Sequence, residues 1–147
     1  MKPLAIAILG FFLAQGICLA QAKKIPVAVI HSGDDQVGRS VAFALKEAIR
    51  GSRSFFLVDN DLKKPKVFVH LVSIDANISG QKGIASAIAI IIVYDSPQTP
   101  IGGFYITSGV DYCGSDRIEI CAKAVLPDID EAIETLRREW PALWKTL

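Results

Sequence analysis

The amino-acid sequence predicts an α/β domain with the element order β-α-β-β-β-α. Five short runs are rich in β-branched and aromatic residues and are separated by Gly, Pro, Asn and Asp, the pattern of strands joined by turns. Two longer stretches repeat apolar residues at intervals of three and four, which is typical of amphipathic helices. We therefore expect a five-stranded mixed sheet packed by two main helices, with an α+β arrangement as the alternative.

The first 22 residues have the pattern of a secretory signal peptide. Lys2 precedes the apolar run Leu4–Ala14, and Ala20 and Ala22 place small residues three and one positions before the expected cleavage site. The apolar run is shorter than the roughly 18–20 residues of a spanning helix. We expect cleavage to leave a single α/β domain of residues 23–147, periplasmic or secreted, with no stable membrane insertion.

The strand and helix patterns of the first half follow in chain order. Ile25–Ile30 reads as a buried first strand, and Asp34 or Asp35 supplies the side-chain acceptor that begins a helix. Gly51 is predicted to end that helix in the left-handed conformation. One face of the helix is apolar and comprises Val37, Val41, Ala44, Leu45, Ala48 and Ile49.

The next three runs are predicted strands. Phe55–Val58 follows a helix, so we expect it to lie parallel to the first strand. Val67–Ile74 contains His70, which we interpret as a core or sheet-face histidine. Ile84–Tyr94 is apolar on both sides, which predicts cover on both faces, or a partner against one of them. Its two sides are Ile88, Ile90 and Ile92, and Ala87, Ala89, Ile91 and Val93.

The last third changes from strand to helix. Phe104–Val110 is predicted to form an antiparallel hairpin with the preceding strand across a Pro- and Gly-rich turn. Segment 117–126 reads as helix or strand, and Pro127 is expected to interrupt it. A second apolar stripe follows at Ile129, Ile133, Leu136 and Trp140.

Charge and motifs exclude several classes of ligand. The chain has 16 Lys and Arg against 15 Asp and Glu, so removing Lys2 leaves a neutral protein. Lys63, Lys64 and Lys66 form the one basic run, which we interpret as a solvated turn, so no nucleic-acid partner is expected. Segment 33–40 approaches a phosphate-binding loop but carries two carboxylates where phosphate would bind. We expect no nucleotide and no other cofactor.

The cysteines predict a disulfide. Cys18 leaves with the signal peptide, so Cys113 and Cys121 remain as a pair in an oxidising compartment. A redox centre would space its cysteines two residues apart. The pair is therefore expected to be structural.

A metal or general-base site is suggested by His31, Asp34, Asp35 and Asp59, joined by Asp61. These residues follow the first two parallel strands, and open α/β sheets bind ligands at that edge. Imidazole and carboxylate could bind a divalent metal or accept a proton. Local capping and turn formation is the favoured interpretation, and no nucleophile motif accompanies the cluster.

The C-terminal segment is unusually apolar. Trp140, Leu143 and Trp144 are expected to pack on the sheet, or else to form a docking patch for another protein.

One segment resembles known periplasmic domains. Residues 44–59 read ALKEAIRGSRSFFLVD, a helix, a tight turn and a Phe-containing strand. This run is similar to the opening of the amino-terminal domain of the Tol propeller protein, the curli secretion channel subunit and lipoprotein activators of penicillin-binding proteins. The resemblance implies a non-catalytic assembly or partner-binding role, although this chain has no propeller and no lipidation signal.

These observations lead to three functional expectations. The first is a soluble, exported, non-catalytic binding or envelope-assembly module whose partner is another envelope or secreted protein. The second is a small secreted hydrolase or metal-binding protein that uses His31 and the neighbouring aspartates. The third is a secreted inhibitor or immunity protein.

Overall fold

The computed structural model describes residues 23–77, 80–98 and 103–147. The predicted signal peptide, residues 1–22, lies outside this part of the chain. The elements are β1 (Ile25–Ser32), α1 (Gln36–Gly51), β2 (Phe55–Leu57), β3 (Lys66–Asp75), β4 (Ala85–Asp95), β5 (Phe104–Gly114), α2 (Ile118–Glu139) and α3 (Pro141–Trp144).

The strands form one mixed sheet in the order β2-β1-β3-β4-β5. β1 runs parallel to both of its neighbours, whereas β3, β4 and β5 form an antiparallel meander. This confirms the predicted fold class, the parallel pairing of the first two strands and the hairpin of the last two. β5 is longer than predicted and continues to Gly114.

The helices α1 and α2 pack against one face of the sheet. Alternate residues of β1, β3 and β4 point towards them and form the core with the apolar stripes of both helices. The core residues from these strands are Val27, Val29, Val67, Val69, Leu71, Ile88, Ile90 and Ile92. The intervening residues of the same strands therefore point to the opposite side.

The end of α1 differs from the prediction. Gly51 is the last helical residue and is not among the glycines with positive φ. Ser52 ends the helix instead, since its amide donates to the Ile49 carbonyl and its hydroxyl accepts from the amides of Ser54 and Phe55. A polar side chain thus provides the stop that was expected from a glycine.

Pro127 does not interrupt α2, which contradicts the sequence prediction. The helix begins at Ile118 and continues through Pro127 to Glu139, so segment 117–126 is helical. Proline removes the amide that would bond to the carbonyl of Lys123, but both residues are exposed and water can satisfy that carbonyl. The buried stripe is continuous and comprises Ala122, Val125, Ile129, Ala132, Ile133 and Leu136.

Lys66 is buried, contrary to the expectation of a solvated basic turn. Lys66 as a whole is 3% exposed, and its ammonium nitrogen lies 2.6 Å from Asp95 Oδ2 and 2.8 Å from the Leu62 carbonyl oxygen. A buried ammonium requires such partners because an unpaired one would be strongly destabilising. The loop 58–65 therefore reaches over one end of the sheet, while Lys63 and Lys64 remain exposed.

Candidate functional site

Asp35 is the centre of a hydrogen-bond network at the N-terminus of α1. It is the N-cap residue, and its Oδ1 accepts the Gly38 amide at 2.6 Å. The hydroxyls of Ser73 in β3 and Ser86 in β4 donate to its two carboxylate oxygens. The network therefore joins the first turn of α1 to two strands of the sheet.

His31 joins the network through Ser73. Its Nε2 lies 2.6 Å from Ser73 Oγ. Because the single hydroxyl proton of Ser73 goes to Asp35, Ser73 Oγ must accept from a protonated Nε2 of His31. The proton of Ser73 thus points to the carboxylate and not to the imidazole, which differs from a serine activated by a histidine base.

Tight packing holds this corner together. A Cβ on Gly38 would overlap Ser73 Oγ and lie 2.8 Å from His31 Nε2. Gly33, with φ of 140°, has no room for a side chain either, since a Cβ there would be 2.7 Å from Ser73 Oγ. Glycine at both positions allows the strand-to-helix turn to approach the β3 main chain.

Of the predicted site residues, the structure brings together only His31 and Asp35. Asp34 is exposed on the turn, so Asp35 is the cap. β2 ends at Leu57, which pairs with Val27, four residues before His31. β2 therefore stops about 13 Å short of the level of His31 in β1, and Asp59, which follows β2, is exposed. Among the described residues no cluster of three metal-ligating side chains is present.

The protonation of the network follows from its contacts. Burial raises the pKa of Asp35, but the hydrogen bonds from Ser73, Ser86 and Gly38 outweigh burial and lower the pKa overall. Burial lowers the pKa of His31, and the nearby charge of Asp35 opposes that effect. At neutral pH both effects favour a charged Asp35 beside a neutral His31.

Ser73 and Ser86 were missed in the sequence because each reads as one polar residue in an apolar strand. They are 2% and 0% exposed and point to the helix-covered side. A polar residue at an inward position of a buried strand must find a partner. The inward position of each serine in an apolar strand was the sequence signal that could have identified it as part of a buried polar network.

The sheet face away from the helices is a second candidate site, which we call the open face. Within the described chain no helix lies on it, and its most exposed residues are Ile74, Tyr105, Val110 and Tyr112. Its side chains are Ile30, Ser32, Phe68, His70, Val72, Ile74, Ala87, Ala89, Ile91, Val93, Tyr105, Ser108, Val110 and Tyr112. These side chains are mostly apolar and aromatic and include no Asp, Glu, Lys or Arg; on the same side of the described strands the charged residues are Lys66 and Asp95, which pair with each other.

Two pairs of polar side chains on the open face bond to each other. His70 Nε2 lies 2.9 Å from Ser32 Oγ, and the His70 ring contacts Phe68 edge-on at 6.5 Å between centroids. The Tyr105 and Ser108 hydroxyl oxygens are 3.0 Å apart. The buried pair Lys66–Asp95 bounds the face at its lower end, under the loop 58–65.

The two cysteines lie at disulfide distance. Cys113 at the end of β5 and Cys121 in the first turn of α2 have Cα atoms 6.0 Å apart. A bond between them ties the edge strand to the helix behind it.

The apolar C-terminal segment contacts its own chain. Trp140 packs edge-on against Phe104 at 4.5 Å between ring centroids, and the Arg137 guanidinium lies 4.5 Å from the Trp144 ring. Trp144 also packs against the core, and Leu143 is half-buried. The more exposed apolar surface is on the open face. None of the described helices is long and apolar enough to cross a membrane.

Comparisons with known proteins place the chain in no family. The sequence matches no protein-family model and no curated protein. Among solved structures it is similar to the dodecamer of a PelC point variant from Paraburkholderia phytofirmans, with a TM-score of 0.42 and 11% identity over 74% of this chain and 90% of that chain. A likeness this distant carries no functional argument, so function must be inferred from the geometry.

Proposed function

We propose that the protein is an exported, non-catalytic binding module whose open face docks an uncharged, apolar surface of another envelope or secreted protein. The observation that carries this proposal is a sheet face with many apolar and aromatic residues, on which the charged side chains of the described strands, Lys66 and Asp95, neutralise each other at the lower end. Monomeric proteins rarely leave such faces uncovered, and patches of this kind mark interaction sites.

The chemistry of the open face favours a protein surface as its occupant. The face offers Tyr105, Tyr112 and Phe68, and aromatic residues are enriched at protein interfaces whereas charged residues are depleted from interface cores. It presents no cationic group that would bind an anionic ligand. An apolar helix or sheet surface would instead complete a third layer over the sheet.

The polar network supports a structural role for His31 and Asp35. Asp35 receives three hydrogen bonds that hold the start of α1 on the sheet. Ser73, the hydroxyl beside His31, is buried and donates away from it. These contacts explain why the sequence contains these residues without requiring a reaction at this corner.

Two features support export. The N-terminal pattern is that of a signal peptide, and the cysteine pair lies at disulfide distance. Structural disulfides persist in oxidising compartments such as the periplasm. We therefore place the binding partner in the cell envelope or outside the cell.

The proposal can be tested by recovering bound proteins with two matched variants. Ile74 on the open face is 68% exposed, and Phe43 on α1, on the helix side, is 66% exposed. Ile74→Glu and Phe43→Glu therefore add the same charge at equally exposed positions on opposite sides, and neither should unfold the protein.

We expect the same envelope protein to be recovered with the wild type and with Phe43→Glu, and to be lost with Ile74→Glu. Circular dichroism should show that both variants retain the fold. Equal recovery with all three proteins, or loss only with Phe43→Glu, would contradict docking on the open face.

A further inference from the structure

β5 is an edge strand whose outer side is unusually accessible. It is the last strand in the sheet order, and no strand lies beyond it in the described chain. Residues 108–112 are exposed without a break. A free strand edge presents main-chain donors and acceptors that can pair with another strand.

The register shows which main-chain groups point outwards. The amide of Ser115 donates to the Ile84 carbonyl at 2.7 Å, which continues the β4–β5 ladder past Gly114. Hydrogen-bonded residues alternate in an antiparallel ladder, so Gly109 and Asp111 direct their main-chain groups to β4. Ser108, Val110 and Tyr112 direct theirs outwards. In agreement with an outward direction, the Tyr112 amide donates to Asp111 Oδ1 at 2.7 Å rather than to β4.

Most features that protect edge strands from pairing are missing here. Strand β5 contains no proline, lysine or arginine, and Asp111 is its one charged residue. Its one irregularity, opposite Ile92 and Val93 of β4, lies near the start of the strand. The segment Thr107–Gly114 after it keeps an unbroken register with β4.

The side chains of this edge also lack neighbours on one side. Val110 is 74% exposed and Tyr112 is 70% exposed, whereas their cross-strand partners Ala89 and Ala87 are half-buried. Strand β4 has a neighbouring strand on both sides, whereas β5 has one on one side only. A further strand beside β5 would therefore cover Val110 and Tyr112.

We infer that β5 pairs antiparallel with β5 of a second copy of this chain, around a twofold axis at Val110. This register places Val110 opposite its own copy and Ser108 opposite Tyr112, all with outward main-chain groups. On pairing, the Tyr112 amide exchanges the Asp111 carboxylate for the Ser108 carbonyl of the other copy. Asp111 then faces Gly109 of the other copy, so the two carboxylates do not oppose each other. The expected neutrality of residues 23–147 means that no net charge repels the copies.

This pairing goes beyond the proposed function and does not depend on it, because it uses the β5 main chain. It also changes the size of the open face. The part of that face spanning β1, β3, β4 and β5 covers on the order of 450 Å² in projection, from strand spacing and rise. Two paired copies present about 900 Å², which reaches the roughly 800 Å² per partner of a standard interface.

Cysteine cross-linking tests the register directly. In the inferred pair the two Val110 Cα atoms are about 5.5 Å apart, within the roughly 4.4–6.8 Å that a disulfide spans. The two Ser108 Cα atoms are about 14 Å apart. We expect Val110→Cys to give a covalent dimer under mild oxidation and the matched variant Ser108→Cys to give none.

Mass measurements complete the test. The purified protein should sediment as a dimer. Val110→Pro should make it monomeric, since proline removes an outward amide and leaves the β4 ladder intact. Val110→Thr keeps the amide and should remain dimeric. If Val110→Pro fails to fold, Val110→Lys, which opposes two ammonium groups across the axis, should also give a monomer.

A monomeric wild type at every soluble concentration would overturn the inference. A dimer that both cysteine variants cross-link equally, that neither cross-links, or that persists in Val110→Lys would overturn it as well. Ile74 lies on β3, two strands from this edge, so Ile74→Glu should abolish partner binding without dissociating the dimer. The two proposals therefore fail separately.

Discussion

Gly38→Ala tests the hydrogen-bonded corner at the start of α1. The added Cβ would overlap Ser73 Oγ and lie 2.5 Å from Ser73 Cβ and 2.8 Å from His31 Nε2. Ser73 Cβ is fixed to the β3 main chain, so it cannot move aside without shifting the strand.

Three effects determine the expected magnitude. Overpacking a close-fitting site destabilises by about 1–3 kcal/mol, and losing the hydrogen bond from Ser73 to the Asp35 carboxylate costs about 1.5–3 kcal/mol. Replacing glycine by alanine in a helix contributes about 1 kcal/mol in the opposite direction. We therefore expect Gly38→Ala to lower the free energy of unfolding by about 1.5–5 kcal/mol.

Gly51→Ala is the matched control in the same helix. No atom lies within 4 Å of a Cβ at this position, and Gly51 has no positive φ. Only the helix preference of alanine remains, so we expect an increase of about 0.5–1 kcal/mol. Urea unfolding followed by circular dichroism measures both variants. A Gly38→Ala protein at least as stable as the wild type would refute the close packing of this corner.

The other predictions concern charge and covalent chemistry. Asp35 has a folded-state pKa below its ordinary value of about 3.9, so its contribution to stability is complete above that value and disappears as the pH falls through the folded-state pKa. The difference in free energy of unfolding between wild type and Asp35→Asn should therefore shrink from near pH 7 to near pH 3, and a constant difference would contradict this. Reducing the bond between Cys113 and Cys121 should lower the free energy of unfolding by about 2–3 kcal/mol, and thiol titration of the denatured native protein should find no free thiol in residues 23–147, whereas two would exclude the bond. Asp95→Asn leaves the Lys66 ammonium buried without its carboxylate and should destabilise by about 2 kcal/mol or more. Lys66→Met leaves Asp95, whose side chain is 29% exposed and can be hydrated, and should destabilise less; equal unfolding midpoints in urea for the two variants would argue against the pair.

Three features could be predicted because each depends on the local sequence pattern. They are the parallel pairing of β1 and β2, the β4–β5 hairpin and the apolar character of both sides of β4. The alternation of Ile90 with Ile91 already showed that both faces of β4 are apolar. The helix count carried further information. Two helices of about 10 Å diameter roughly span one face of five strands spaced about 4.8 Å apart. The two apolar sides of β4 left cover on both faces open, and this helix count could have narrowed that expectation to one covered face.

The polar network could not be predicted because its members are distant in the chain. Asp35 meets Ser73 and Ser86 across separations of 38 and 51 residues. Nothing local to Asp35 distinguishes an anchored cap from a solvated one. The early end of β2, which separates Asp59 from His31, depends likewise on pairing register rather than on residue pattern.

The central claim is that the open face, and not the helix side, receives the partner. Photo-cross-linking in the native cell envelope tests it most directly, with a photoreactive residue in place of Ile74 on the open face or of Ile120 on α2, both of which are exposed. We predict a discrete product with one envelope protein from position 74, and none from position 120. A product from position 120 alone, or the same product from both, would contradict the claim.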